Sequence, residues 1–212
     1  MRLFLPELNL LQPRQYSISC SPNGKYYRIS VKRESGNTHP DGMISNRLHD
    51  HVNEGDLIDL SAPSGVFVLN TELSRPKVFI SGGVGQTPLM AMLEDLVQRK
   101  NEDESTPITW IHGCRNEAVH AFKDRLAEIT NSHLNIRQHI FYDQVESLDT
   151  SFYQGWVELS KIKDQVIDQQ AEYYICGPGP FISKHYTFLV DNNVPKSAIH
   201  FEEFGPASLQ VN

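Results

Sequence analysis

The sequence predicts two consecutive units, an antiparallel β unit over residues 1–70 and a parallel-sheet α/β unit over residues 71–212. Three observations predict this division. Two β-prone runs near the N-terminus meet at Asn23-Gly24, a dipeptide suited to the positive-φ turn of a hairpin. From about residue 71, apolar strand runs alternate with helical patterns, the rhythm of a parallel sheet with helices on both faces. Between the first such strand, Val78-Phe79-Ile80, and the first such helix lies Ser81-Gly82-Gly83-Val84-Gly85-Gln86-Thr87-Pro88. Glycines let a backbone approach phosphate closely, and the first N–H groups and the dipole of a helix favour an anion. A tight strand-to-helix turn without a ligand is the plainer alternative.

In order along the chain, Leu3-Phe4-Leu5 is a short apolar run, and Gln15–Ser19 and Tyr26–Lys32 flank the turn Ser21-Pro22-Asn23-Gly24 as strands. Ile44, Leu48 and Val52 mark one stripe of a short helix after a loop from Gly36 to Gly42. Leu57–Ala62 and Phe67-Val68-Leu69 read as strands around Pro63-Ser64-Gly65. In the second unit the strands are Val78–Ile80, Ile108–His112, Leu134–Phe141, Tyr173–Cys176 and Ala198–Phe201. Leu89, Met92, Leu93, Leu96 and Val97 predict a helix over 87–99, with Pro88 placed in its first turn where a missing N–H costs little. Val119, Phe122, Leu126 and Ile129 predict one over 118–130, Ile182, Tyr186, Leu189 and Val190 one over 180–191, and a short helix is expected near 159–165. Gly82–Thr87, Gly113–Asn116 and Gly177–Pro180 all follow strands, and ligands of open parallel sheets sit beyond the carboxyl ends of strands.

The bulk properties narrow the function. A net charge of −7, with no basic run, argues against nucleic acid and anionic membranes as partners. No apolar stretch approaches membrane-spanning length and no signal-peptide pattern opens the chain, so a cytoplasmic protein is expected. The three cysteines, Cys20, Cys114 and Cys176, are widely spaced, which argues against a disulfide framework. They also fall short of the four thiolates that an iron–sulfur cluster normally takes. No histidine spacing suggests a metal site.

Arg14-Gln15-Tyr16-Ser17 resembles the R-x-Y-S flavin motif of the ferredoxin reductase superfamily, and most closely the reductase half of flavohaemoglobins, the nitric oxide dioxygenases. Further motifs follow in that family's order. They are Gly42-Met43-Ile44-Ser45-Asn46 with Leu48-His49, Leu60–Gly65 with Phe67, Gly83–Pro88, His120-Ala121-Phe122, Cys176-Gly177-Pro178, and Glu202 with Phe204-Gly205-Pro206. The resemblance runs from residue 14 to residue 206 and implies an FAD-binding barrel followed by a nicotinamide nucleotide domain. It also implies two departures. The haem-binding globin portion is absent, and the opening strands of the flavin barrel are missing, with Met1–Leu5 read as a remnant of one strand. A third is Glu203, where the family often has cysteine.

The resemblance implies roles residue by residue. Arg14 would meet the FAD pyrophosphate, since a guanidinium fork matches phosphate oxygens; a surface ion pair is the alternative. Gln15 belongs to the same motif, and Tyr16 would lie on the flavin or else serve as a core aromatic. Ser17 would bond the flavin edge that accepts hydride, or be an ordinary strand hydroxyl. Gly42, Met43, Ile44 and Ser45 would offer a helix N-terminus to FAD phosphates, or Ser45 would simply cap that helix. Gly83, Val84, Gly85, Gln86, Thr87 and Pro88 would cradle the nicotinamide nucleotide. Cys176, with Gly177 and Pro178, would face the nicotinamide, or be a buried strand cysteine. Glu202 would tune electron transfer or be a solvated charge. Phe204, flanked by Glu203, Gly205 and Pro206, would lie against the flavin or anchor the core. Arg115 would meet the adenosine ribose or its 2′-phosphate, which leaves NADH against NADPH open. Ser17, Cys176 and Glu202 are the candidate catalytic residues.

The implied activity is hydride transfer from NAD(P)H to FAD, followed by single-electron delivery to the haem of a fused or partner globin. The alternatives are a free-standing NAD(P)H:flavin or NAD(P)H:acceptor reductase and a non-catalytic nucleotide-binding fragment that has lost FAD. Dihydroorotate-dehydrogenase electron-transfer subunits share the superfamily but use an iron–sulfur cluster that three cysteines do not supply.

Overall fold

The computed structural model describes residues 1–4, 14–36, 40–70, 74–99, 106–145 and 151–204. Leu5 and the motif residues Gly205 and Pro206 lie outside the described residues.

The first unit holds a three-stranded antiparallel sheet in the order β2-β1-β3, formed by β1 (Arg2–Phe4), β2 (Arg14–Gln15) and β3 (Asp59–Leu60). The expected N-terminal strand is therefore the middle one, with Leu3 opposite Arg14 on one side and Leu60 on the other. Helix α1 (Met43–His51) covers it, and buried Leu3 meets buried Ile44. Tyr16, Ile29, Leu48 and Ile58 lean on that pair.

The hairpin at Asn23-Gly24 forms, but it is short. Gly24 takes φ +67°, the Asn23 side-chain oxygen accepts the N–H groups of Lys25 and Tyr26, and pairing amounts to one antiparallel bridge between Ile18 and Ile29. Tyr26 and Tyr27 are both exposed, so no single apolar face rewards a longer ladder.

Two expected strands of this unit differ. Leu57–Ala62 pairs only over Asp59–Leu60, with Leu57 fully exposed. Phe67-Val68-Leu69 forms no strand. Instead, Phe67 and Leu69 pack onto the core of the second unit, and the Asn70 N–H donates to the Tyr174 hydroxyl at 2.9 Å. Side-chain docking has replaced a ladder there.

The second unit is a six-stranded, wholly parallel sheet in the order β7-β6-β5-β4-β8-β9. Its strands are β4 (Lys77–Gly82), β5 (Ile108–Cys114), β6 (Ile136–Tyr142), β7 (Tyr153–Gln154), β8 (Glu172–Gly177) and β9 (Ile199–Glu203). Side chains alternate between two cores, as the strand period of two requires. Val78, Ile80, Tyr173 and Ile175 face α4 (Lys163–Val166) and α5 (Gly179–Asp191). Phe79, Tyr174 and Cys176 face α2 (Gln86–Gln98) and α3 (Lys123–Ser132).

The helix expected over 118–130 is broken. A 3-10 turn at Glu117–Val119 is followed by Phe122 in the left-handed region at φ 60°, and only then does α3 begin. Val119 is exposed, so the apolar stripe never reached that far, while Phe122 turns its ring under the Arg28 guanidinium at 5.5 Å. The two-residue edge strand β7 was not anticipated; Tyr153 stacks on Phe141 at 4.6 Å between ring centres.

Packing requires glycine at position 85 and favours it at position 177. A Cβ on Gly85 would stand 2.2 Å from the Cys176 carbonyl oxygen, and one on Gly177 would meet the Phe181 ring at 3.0 Å. Gly83 differs: its φ is +55° and the space beside it is open. Urea denaturation should therefore rank the two alanine variants. Gly83→Ala should cost about 1–2 kcal/mol, the left-handed penalty. Gly85→Ala should cost more than about 3 kcal/mol, because the backbone on both sides of the clash must move.

Burial holds the imidazoles of His120 and His185 down to about 4, and that of His112 well below its ordinary range. The unfolded chain then takes up protons that the folded chain refuses. Stability should be full above about pH 6.5 and fall as pH is lowered towards about 4. Urea midpoints measured from pH 7 to pH 4.5 should decline, and His185→Leu should flatten the decline.

Candidate functional site

Neighbouring strands β4 and β8 send their helices to opposite faces, α2 to one and α5 to the other. Such a switch opens a crevice beyond the carboxyl ends of the strands. Gly85 presses against the backbone of Cys176 and Gly177 here, so the start of α2 sits directly on the end of β8. On the other face the Phe181 ring covers Gly82 and Gly177.

The three candidate catalytic residues converge on this crevice. The Ser17 hydroxyl donates to Glu202 Oε2 at 3.0 Å, joining the first unit to β9 across 185 positions of sequence. Glu202 lies opposite Cys176 in the β8–β9 register. Burial raises the pKa of the Glu202 carboxyl, and the Ser17 hydrogen bond opposes that rise. Burial and then the nearby Glu202 charge push the Cys176 thiol well above its ordinary range. A thiol held protonated is no nucleophile at neutral pH. Cys176 is fully buried, in the core shared with Phe79 and Leu89, so what it offers is a small side chain at a crowded place. Phe204 packs against the same core, and its N–H donates to the Gly177 carbonyl at 2.9 Å. Glu203 is half-buried beside it.

The other expected residues sit on separate elements. Arg14 and Gln15 form β2 with exposed side chains. Tyr16 is half-buried against Leu3 and Ile44, and burial raises its hydroxyl pKa. Gly42 caps α1 with backbone alone; a Cβ there would meet the Ser45 hydroxyl at 2.5 Å. Ser45 does not cap its helix. Its hydroxyl donates to the Gly42 carbonyl and accepts the Glu34 N–H. Ile44 is a core residue, whereas Met43 is exposed. Val84 is half-buried, and Gln86, Thr87 and Pro88 are buried at the head of α2. Pro178 is exposed and caps α5. Arg115 is exposed at the end of β5.

These residues fit phosphate-bearing cofactors on three grounds. Neither α1 nor α2 has a side-chain cap or an acidic residue in its first turn, which leaves both N-termini suited to anions. Gly83 faces open space. The buried Gln86 Oε1 has no partner among the described residues, an acceptor that a donor on a ligand would satisfy.

Sequence reasoning missed the polar contacts that join the units. Glu94, 5% exposed on α2, accepts the Ser21 N–H and the guanidinium of Arg28 from the hairpin, and that of Arg125 from α3. The available signal was a carboxylate four residues after Met90, beside an apolar stripe.

Comparison with known proteins agrees with this architecture. The family model described as oxidoreductase NAD-binding domain matches residues 79–185. A flavohemoprotein of Bordetella pertussis is 43% identical over 97% of this chain and 51% of its own length. One of Rhizobium meliloti is 42% identical over 95% and 50%. Among solved structures, the flavohem-like FAD/NAD-binding domain of nitric oxide dioxygenase from Vibrio cholerae matches with a TM-score of 0.80 and 34% identity, over 92% of this chain and 78% of that one. Flavohemoglobin from Malassezia yamatoensis, solved with bound FAD and heme, matches with a TM-score of 0.73 and 25% identity, over 92% and 47%. The chain spans about half the length of the curated relatives it matches. It belongs to the oxidoreductase NAD-binding domain family, as the reductase portion of the flavohaemoprotein kind.

Proposed function

We propose that this chain is an FAD-dependent NAD(P)H oxidoreductase module, with residues 1–70 holding FAD and residues 71–212 holding NADH or NADPH. The observation that carries the reading is the meeting of Ser17, from the first unit, with Glu202 and Cys176, from the second, at the β4–β8 crevice. When bound, the two cofactors supply the chemistry: the nicotinamide gives hydride to the flavin, which passes electrons on one at a time.

The protein's part is to bind, align and exclude water. The α1 and α2 N-termini take the phosphates, Arg14 adds a guanidinium for the FAD pyrophosphate, and Arg115 stands ready for the adenosine ribose. The Ser17 hydroxyl, held by Glu202 when no cofactor is present, would bond the flavin edge that accepts hydride. Glu202 holds that hydroxyl in one orientation. Cys176 keeps the crevice floor small, and Phe204, tied to Gly177, closes one side. Phe204 would lie against the flavin.

The relatives described with heme and as nitric oxide dioxygenases suggest the acceptor. In the whole protein, electrons leaving this module reach the haem of a globin portion and serve nitric oxide detoxification. A cytoplasmic setting is part of this reading, and the acidic balance of the chain disfavours nucleic acid and anionic membrane surfaces as partners. No described helix is long and apolar enough to cross a membrane.

The purified protein should be yellow, absorb at about 450 nm and bleach when NADH is added without oxygen. Colourless protein that takes up no added FAD would overturn the reading. Ser17→Ala should slow bleaching about tenfold with FAD content unchanged, the scale of one lost polar contact in a transition state. The same change removes the hydrogen bond that favours the Glu202 carboxylate, so the acidic limb of the pH–rate profile should move to higher pH. Arg14→Ala should instead lower FAD content.

A further inference from the structure

The Glu94 cluster is a polar joint between the two units, and none of its members belongs to the roles assigned above. The Glu94 carboxylate is buried on α2, and each of its oxygens is engaged. Oε2 accepts the Ser21 N–H at 3.3 Å and Arg28 Nη2 at 3.3 Å, both from the hairpin, while Oε1 accepts Arg125 Nε from α3 at 3.1 Å. The Ser21 hydroxyl donates to Gln98 Oε1 at 2.9 Å, one helical turn further along α2. Arg28 also reaches back within the hairpin. Its guanidinium donates to the Ser19 carbonyl and its Nε to the Ser19 hydroxyl at 3.2 Å, while its flat face lies over Phe122.

The order along one short segment gives this joint its meaning. Ser17 touches Glu202, Ile18 bridges to Ile29, Ser19 is gripped by Arg28, and Ser21 is held by Glu94 and Gln98. Ser17 therefore sits two residues from a grip anchored on α2, and the start of α2 rests on Cys176 through Gly85. Helix α2 is rigidly seated, with Leu89, Met90 and Leu93 fully buried. Two guanidinium groups and one backbone N–H converge on the buried carboxylate from three places in the sequence, and the same Arg28 guanidinium grips Ser19.

We propose that Glu94 is a positioning residue which, through Arg28 and Ser21, sets where Ser17 stands relative to Cys176 and Glu202. This rests on the proposed reductase reading, because the spacing it sets is that between the two cofactor sites. Hydride transfer is steep in geometry, and a displacement of about 1 Å can cost about a hundredfold in rate.

The test compares the full chain with Glu94→Gln, Arg28→Met, the double variant, and Asp95→Asn as a control on the exposed Asp95–Arg99 pair. Two readouts are taken. The first, made without added cofactor, is hydrogen exchange at the Ser21 amide. It should quicken at least tenfold in Glu94→Gln and Arg28→Met, and stay unchanged in Asp95→Asn. The second is anaerobic flavin reduction over a range of NADH concentrations. The limiting rate should fall about tenfold or more in each single variant, with the NADH concentration for half-maximal rate within twofold of wild type. The double variant should be no slower than the slower single, because both changes open one joint.

Unaltered Ser21 exchange, or an unaltered limiting rate in a wild type that NADH does reduce, overturns the proposal. So does a rate loss that merely follows loss of FAD or early melting in both single variants. If Glu94→Gln fails to fold, Arg28→Met carries the test alone with the same criteria. A wild type that NADH does not reduce fails the reductase reading instead, and the exchange measurement then still reports on the joint.

Discussion

The structure depends on the close approach of the Gly85 backbone to the end of β8. That approach seats the first turn of α2 on the Cys176 carbonyl, and two consequences follow. The first turn of α2 is brought to the crevice between β4 and β8, with the positive end of the helix dipole facing it. The same helix carries Glu94 two turns later, in reach of the hairpin from the first unit. One helix thus does two things: it borders the crevice beside Cys176, and it is the rail on which the other unit is held. A side chain at position 85 would lift both functions together.

Much of the fold was legible in the sequence because the relevant forces are local. In the second unit, β4, β5, β6, β8 and β9 fall where apolar runs predict, and α2 and α5 begin within a residue of their expected starts. Burial on both faces forces such strands to be continuously apolar. The first unit was harder to read. Among the described residues its core centres on Leu3 and Ile44, and its strand candidates pair over short stretches. Phe67 and Leu69 show the cost of reasoning locally. Their pattern suits a strand, but their partner is the core beside Tyr174, over a hundred residues away. The break at Phe122 has the same origin, since its aromatic partner is the distant Arg28.

The candidate site divides in the same way. Sequence motifs marked Ser17, Cys176, Glu202 and the Gly83–Pro88 turn, and the structure joins the first three through one hydrogen bond and one strand register. The motifs did not reveal how each residue would contribute. Ile44 and Cys176 are core side chains, and Ser45 uses its hydroxyl to brace the loop at Glu34 rather than to cap its helix. Among the glycines of the motifs, Gly85 and Gly177 answer to packing and Gly83 to open space, a distinction that depends on where Cys176 and Phe181 stand. Glu94 could be noticed as a misplaced charge, but its partners Ser21 and Arg28 come from the other unit and no spacing rule links them.

The poverty of the Leu3–Ile44 core also orders the assembly of the molecule. Among the described residues, so small an apolar nucleus offsets little of the chain entropy of the segments it anchors. The parallel sheet, with two extensive cores, can collapse first and present α2 and Tyr174 as a finished template. The first unit takes its shape against that template, through the docking of Phe67, Leu69 and Asn70 and through the contacts of Ser21 and Arg28 with Glu94.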